Sequence, residues 1–507
     1  MRRGKGSDGK VTADTTTDTA AAAGTPFGQR LSDLAATDPG RLSVVIVHRD
    51  GTSDQLDRLQ LNGEACRWAR ALAARGVRPG DRVALPVHNS VELVVGALGA
   101  WKLGGVPVPV RWDLPSWERE RVLAVIGAAV VIDELTAPEI RDEAKQASSD
   151  PLPVVTPPQS HGICSSGSTG TPKVIVNTRP GLWTEELSTP FAANFDIPVT
   201  RPQTILVPAP MYHTNGFMTL HSLLGGDCLV IMEKFDAGLM VDTIERYGIT
   251  TFTATPTMLQ RVAAVAGIES RDLSTVEWIL QGAAMMPPAL LRTWFDLLAP
   301  EKVVMAYGMT EQLGLAALRG DEWLTHEGSV GNGFRGTEIR ILDELQKPVA
   351  VGSFGDVYMR SPATGSYDYL GGAPLLPTTS DGFGTAGDMG RLDEEGYLYL
   401  ADRRVDMIIT GGANVFPAEV EAALSEHPGI ADAVVIGLTD PEWGRRVHAI
   451  VERASDAREL TEADVIAFVK DRLASYKAPK TVEFVPLLPR TAATKISRGA
   501  LVQERGG

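Results

Sequence analysis

DCLVIMEKFDAGLMVDTIERYGITTFTATP, residues 227–256, decides the fold class. DCLVIM (227–232) reads as a buried strand, DAGLMVDTIERYG (236–248) as a helix, and TTFTATP (250–256) as a second strand. Strand, helix, strand implies a parallel sheet with a right-handed crossover. The same grammar runs outward in both directions. Upstream, TILVPAP (204–210) is a strand, with a helix expected after His213. Downstream, WILQGAA (278–284) and KVVMAYG (302–308) continue the pattern. Each strand ends in a loop rich in Gly, Ala, Thr or Pro, and in open α/β sheets ligands sit beyond the carboxyl ends of the strands.

Further upstream, residues 58–110 form another α/β unit. Ala65, Trp68, Ala69 and Leu72 recur at helical spacing, and Gly76 is a stop. RVALPV (82–87) is a buried strand, and Ser90 caps the helix VELVVGALGAWKL, which stops at Gly104-Gly105. The prolines of VPVPV (106–110) mark an edge strand. From about residue 337 the pattern changes to short alternating runs, EIRIL, GDVYM and GYLYLAD, which read as antiparallel β. Residues 361–387 are rich in Gly, Pro and Thr and read as loops. After DRR (402–404) a small α+β unit follows: the helix AEVEAALSEHP, the strands ADAVVIGL and RRVHAIVE, and the capped helix TEADVIAFVKDRLA. The chain therefore divides into a tail (1–24), a large layered α/β domain with a β-rich subdomain (25–402) and a small α+β domain (403–507).

Composition narrows the function. The 507 residues are 44% apolar, enough for a large core, and 48 basic against 63 acidic residues leave a net charge of −15. An acidic chain without a long basic run argues against broad nucleic-acid binding. Cys66, Cys164 and Cys228 lie far apart with no CxxC pair, which fits neither a disulfide framework nor a zinc knuckle and points to the cytoplasm. No run approaches the ~18 apolar residues of a membrane span. The N-terminal stretch starts basic but has no apolar core, so it is not read as a secretory signal.

Residues 164–173, CSSGSTGTPK, place many N–H and O–H donors in a tight loop suited to anionic oxygens, with Lys173 adding positive charge. A Ser/Gly run alone is more often a linker, and the order Gly170-Thr171-Pro172 is not that of a P-loop. Its terminal Pro-Lys is less linker-like. SSGSTGTPK resembles the signature loop of the adenylate-forming superfamily, which contains acyl-CoA synthetases, peptide-synthetase adenylation domains and beetle luciferases. The other motifs of that family follow in order. YGMTE (307–311) resembles the next signature, in which Tyr307 lies on an adenine face and Thr310 and Glu311 supply hard oxygens for Mg²⁺. QGAA (281–284) resembles the loop lining the adenine and the acyl pocket. TAGDMGRLDEEGYLYLADR (385–403) resembles the ribose-binding motif, with Asp388 and Arg403 on the ribose hydroxyls; Ala386 stands where most members have Thr. PRTAATKISR (489–498) resembles the C-terminal catalytic motif and makes Lys495 the catalytic lysine, with Thr494 in place of the usual Gly. PMYHTNGF (210–217) resembles the aromatic/His gate, putting His213 beside the reacting carboxylate. GGANVFP (411–417) resembles the loop lining the pantetheine tunnel. Alone each motif is modest; together, in the right order across residues 58–498, they are not chance.

The resemblance implies a site and a reaction. Catalytic groups would be Lys495, Thr310, Glu311 and His213, with Glu311 and Thr310 on the metal. ATP and CoA would be held by Ser165, Ser166, Gly167, Ser168, Thr169, Gly170, Thr171, Lys173, Gly282, Ala283, Ala284, Tyr307, Gly308, Asp388, Arg403, Gly411, Gly412 and Trp443. His213, Phe217, Gly282, Met309 and Gly314 would meet the acid. The implied cofactors are ATP, Mg²⁺ and CoA. A carboxylic acid would be adenylated with release of pyrophosphate, then passed to CoA with release of AMP, the small domain turning between the steps. Val405, at the hinge where members often carry Asp or Lys, raises the alternative that the acyl-adenylate goes to a carrier protein or a partner enzyme. A non-catalytic nucleotide- or acyl-adenylate-binding protein and a luciferase-like oxygenase are the readings of other classes. The strings around 401–424 and 210–217 look most like the branch acting on bile acids and steroids, so a bulky, polycyclic, steroid- or diterpenoid-like acid is expected.

Overall fold

The computed structural model describes residues 24–165, 173–403, 406–410, 413–454, 459–490 and 496–506. Its centre is a nine-stranded sheet. From one edge the strands run Asn332–Phe334, Leu315–Arg319, Val303–Gly308, Trp278–Gln281, Thr251–Ala254, Thr204–Val207, Cys228–Met232, Leu42–Val47 and Ser53–Asp57. The six from Val303–Gly308 to Leu42–Val47 are mutually parallel, and the outer three are antiparallel. Alternation along the strands feeds two cores. Val44, Ile46, Ile205, Val207, Leu229 and Ile231 face one; Val45, Val47, Leu206, Val230 and Met232 face the other. A sheet covered on both faces needs apolar residues at nearly every position, which is why 228–232 reads as a continuous apolar run.

The strand–helix–strand reading of 227–256 holds. Asp236 accepts a hydrogen bond from the Leu239 amide (2.8 Å) to cap the helix Ala237–Tyr247. Gly248 ends it at φ +58°, a left-handed cap that glycine adopts without a Cβ penalty. Ser90 likewise caps Val91–Lys102 by accepting from the Leu93 amide. Val106–Pro109 is an edge strand, pairing only with Arg82–Leu85 in a three-stranded parallel sheet. The helix expected after His213 is two short ones, Thr214–Phe217 and Thr219–Leu224.

Two parts of the chain differ from the reading. Residues 27–57, for which the sequence analysis has no element, supply the helix Phe27–Thr37 and the last two strands of the large sheet. The expected loop 361–387 contains a strand, Tyr367–Leu370, which joins the hairpin of Gly162–Ser165 and Lys173–Asn177. The alternating runs after 337 form the expected antiparallel sheet: Glu338–Leu342, Gly355–Arg360, Asp388–Leu392 and Leu398–Arg403. The last unit packs the helices Pro417–Ser425, Glu462–Lys470 and Arg498–Glu504 against a five-stranded sheet. Among the described residues, no helix is long and apolar enough to cross a membrane. The three cysteines are unpaired.

Candidate active site

Strand order reverses beside Thr204–Val207, which has Cys228–Met232 on one side and Thr251–Ala254 on the other. Such a reversal opens a crevice at the carboxyl ends of the strands. Three motif loops leave from those ends: PMYHTNGF after Val207, QGAA after Leu280, and YGMTE after Ala306.

The first loop is anchored by a buried Asn. Asn89 donates to the carbonyls of Ala209 (3.1 Å) and Met232 (2.9 Å), and its Oδ1 accepts from the Met211 amide (2.8 Å). His213, half-buried, precedes the first turn of the helix that follows, and its carbonyl accepts from the Phe217 amide. Phe217, expected to meet the acid, is buried against Trp101 and His161. In the second loop, Gln281 donates to the carbonyls of Gly282 (3.3 Å) and Ala284 (2.6 Å). This brace holds Ala283 at φ +73°, in a region L-residues rarely occupy. Gly282 is buried, and a Cβ on it would sit in ordinary contact with the Ala306 carbonyl (3.8 Å) and the Asn215 amide (3.9 Å).

The third loop turns tightly. Gln312 donates its amide to the Met309 carbonyl (3.0 Å) and takes φ +55°, which presents Thr310 and Glu311 on the turn. Thr310 Oγ1 shares a 3.0 Å hydrogen bond with Thr214 Oγ1, joining this turn to the His213 loop. The Tyr307 hydroxyl donates to Asp388 Oδ2 (2.6 Å), so the adenine tyrosine and the ribose carboxylate of the expected site do meet. Gly387 precedes Asp388 at φ +84°, and its amide donates to Thr385 Oγ1 (3.1 Å). Register sets Arg403 opposite Asp388. Gly308 and Gly314 are glycines for packing: a Cβ would lie 2.4 Å from Leu315 in the first case and 2.6 Å from Thr337 in the second. Gly314 is buried, with that space already filled. Met309 is partly buried against the neighbouring core.

Ser165 and Lys173, which flank the expected phosphate loop in sequence, pair with each other in the antiparallel hairpin of Gly162–Ser165 and Lys173–Asn177. Residues 166–172 lie outside the described residues, as do Val405, Gly411, Gly412 and Lys495. Lys173 shares a sheet face with Tyr369, and its Nζ stands 5.0 Å over that ring. The Tyr369 hydroxyl donates to Glu311 Oε1 (2.7 Å). Burial, together with the adjoining carboxylate, raises the Tyr369 phenol, which keeps it a donor. Sequence reasoning singled out none of Tyr369, Thr214, Asn89, Gln281 and Thr385; Thr214, Gln281 and Thr385 lie inside quoted motifs, whereas Asn89 and Tyr369 lie in none. Trp443 is 41% exposed with Lys480 Nζ 5.0 Å from its ring, so it is a surface group and not core.

Thr310 and Glu311 form a sparse, hard-oxygen donor set, and no cluster of three or more His, Cys, Asp or Glu that could hold a metal occurs among the described residues. A single carboxylate with a hydroxyl suits Mg²⁺ bound jointly with substrate phosphates rather than in a protein cage. A separate cleft of about 490 Å³, lined by Ile197, Glu277, Lys302 and Arg319 among others, opens at the amino ends of the same strands, away from these groups.

Comparison with known proteins agrees with this geometry. The AMP-binding enzyme family matches residues 33–367, and the AMP-binding enzyme C-terminal domain matches 419–495. A feruloyl-CoA synthase from an Amycolatopsis species is 31% identical over 478 residues, covering 91% of this chain and 96% of that protein. The fatty acid–[acyl-carrier-protein] ligase ScoC of Streptomyces coeruleorubidus is 31% identical over 507 residues, covering 93% and 95%. The o-succinylbenzoate CoA synthetase of Bacillus subtilis, solved with its acyl-adenylate intermediate, superposes with a TM-score of 0.80 at 26% identity, over 93% of this chain and 97% of that one. The chain belongs to the AMP-binding, adenylate-forming enzyme family.

Proposed function

We propose that this protein joins a bulky, ring-bearing carboxylic acid to CoA in two steps driven by ATP. The carrying observation is the convergence of Tyr307–Asp388 with the Thr310–Glu311 turn at the carboxyl ends of the parallel strands. The coarser reading, an AMP-forming acid–thiol ligase, rests on the family and on relatives named as CoA ligases. Asp388 would accept from the ribose hydroxyls while the Tyr307 ring covers the adenine. The acid's carboxylate oxygen attacks the α-phosphorus, the bond to the β-phosphate oxygen breaks, and pyrophosphate leaves with the electron pair. Glu311 and Thr310 would hold the magnesium ion, whose charge offsets the crowding of phosphate oxygens. Lys173 adds positive charge from the base of the phosphate loop, and Lys495 would do so from the small domain. In the second step the CoA thiolate attacks the acyl carbon and AMP departs. The chain after Asp402–Arg403 would pivot between the steps.

A ring-bearing acid is supported by the relatives: feruloyl-CoA synthase and o-succinylbenzoate CoA synthetase are named for ring-bearing acids. Steroid- and diterpenoid-like acids are the widest members of this proposal. The three free cysteines fit a cytoplasmic enzyme. A second reading, transfer to a carrier protein, is favoured by the similarity to ScoC. Mass spectrometry of one reaction tests both: protein, ATP, Mg²⁺ and a pool of carboxylic acids, with and without CoA. AMP together with an acyl-CoA establishes the ligase and names the acid. An acyl-adenylate that ignores CoA supports transfer to a partner, and release of ADP refutes the mechanism.

A further inference from the structure

We propose that Tyr369 is a positioning residue for the metal-binding carboxylate, fixing Glu311 relative to Lys173; this rests on the adenylation reading above. Tyr369 lies in none of the motifs. It comes from the short strand Tyr367–Leu370, the third strand beside the phosphate-loop hairpin. Register pairs Tyr369 with Ile175, and side chains two residues apart on a strand share a face, so Lys173 stands diagonally across from the tyrosine. That places the ammonium 5.0 Å over the ring while the hydroxyl, at the far end of the same side chain, donates to Glu311 Oε1 at 2.7 Å. The backbone around Glu311 is tied to the same segment. Ser361 Oγ donates to the Gln312 carbonyl (3.3 Å), and Thr364 Oγ1 donates to the Leu313 carbonyl (2.9 Å).

The arrangement has a physical purpose. Lys173 and Glu311 carry opposite charges close to one another, and a nucleotide phosphate with its cation needs both unspent. A flexible glutamate beside a lysine gains by pairing with it directly, which would withdraw both from the ligand. The rigid phenol, with only two side-chain torsions, separates them: its face takes the cation and its hydroxyl takes one carboxylate oxygen. Among the described residues no other group bonds to Glu311, so Oε2 is the oxygen left for the ion.

The test uses the full-length protein and Mn²⁺ as the probe, followed by electron paramagnetic resonance with the non-hydrolysable α,β-methylene analogue of ATP. Tyr369→Phe keeps the ring and loses one charge-assisted hydrogen bond, so Mn²⁺ should bind about tenfold more weakly to the nucleotide complex. Nucleotide affinity without metal and the melting temperature should be unchanged. The Mg²⁺ concentration for half-maximal pyrophosphate exchange should rise by the same factor. In a Glu311→Gln background the second substitution should have little further effect on Mn²⁺, since the carboxylate it positions is gone. Unchanged Mn²⁺ affinity in Tyr369→Phe overturns the inference. An equal loss of nucleotide affinity with and without metal also overturns it, because the tyrosine would then act through Lys173 or through packing. A wild-type protein with no nucleotide-dependent Mn²⁺ binding and no pyrophosphate exchange would instead refute the adenylation reading.

Discussion

Acidification should destabilise the large domain through two histidines that take no part in the chemistry. His161 and His221 lie in the core beneath the large sheet with ring centroids 6.0 Å apart, packed among Trp101, Phe217 and Phe27. Burial pulls His161 from its ordinary 6.5 to about 4, and burial plus repulsion from His161 pulls His221 to about 3. Below pH 6.5 the unfolded chain takes up a proton on each ring, while the folded chain resists until the pH reaches those lower values. The unfolded state therefore binds more protons in that window, and stability falls as pH falls. The contribution is fully present above about pH 6.5. At about 1.36 kcal/mol per pH unit for each ring, going from pH 7 to 4.5 costs about 5 kcal/mol, a large share of a typical domain's stability. The comparison is wild type against His161→Gln/His221→Phe, by urea unfolding at several pH values. Trp101 fluorescence reports on this region, since the indole lies 6.4 Å from the His221 ring. Carboxylates titrate alike in both proteins and cancel. The double variant should lose about 5 kcal/mol less than wild type over this range, whatever its stability at pH 7. Parallel pH profiles would show that the rings are protonated in the fold or hydrated, and would refute the reasoning.

Three further outcomes concern catalysis. Tyr307→Phe removes the bond to Asp388 and should raise the KM for ATP about tenfold in pyrophosphate exchange, with a smaller change in kcat; an unaltered KM would deny that the pair prepares a ribose site. Gly282→Leu crowds Asn215 and the Ala306 carbonyl, which a Cβ alone already contacts, so kcat/KM for ring-bearing acids should drop by roughly 10-fold or more relative to short linear acids, as competition assays would read. Equal losses across acids would remove Gly282 from the acid pocket. Lys495→Ala should slow adenylation by about 10²–10³ while sparing thioester formation from supplied acyl-adenylate; single-turnover kinetics on each half-reaction would expose any other division.

Much of this architecture was legible because local and global signals agree. The strand of 228–232 is apolar along its length because both its faces are covered, and Asp236 and Gly248 bracket the helix that follows with standard caps. The motif loops were legible because strand ends are where ligands sit, and the structure does bring Tyr307 to Asp388. Harder was Tyr367–Leu370. Four residues between Gly-rich flanks have no periodicity to read, and their pairing partner lies almost 200 residues earlier in the chain. Tyr369 was missed for that reason. The burial of Phe217 is not legible, because residues one turn from a motif histidine look alike in sequence whether they turn to a cleft or to the core. The surroundings of Gly314 are equally hidden, since a glycine that yields space to Thr337 and one that yields space to a ligand are the same letter.

The 3.0 Å bond between Thr214 and Thr310 makes the two halves of the crevice interdependent. One threonine belongs to the loop expected to meet the acid, the other to the turn expected to meet the nucleotide. Any acid that shifts the first moves the hydroxyl of the second, and thermodynamic linkage requires the effect to be mutual: whatever factor the acid applies to nucleotide affinity, the nucleotide applies to acid affinity. An unsuitable acid is then discriminated against twice, by its own fit and by the weaker hold on ATP that it induces.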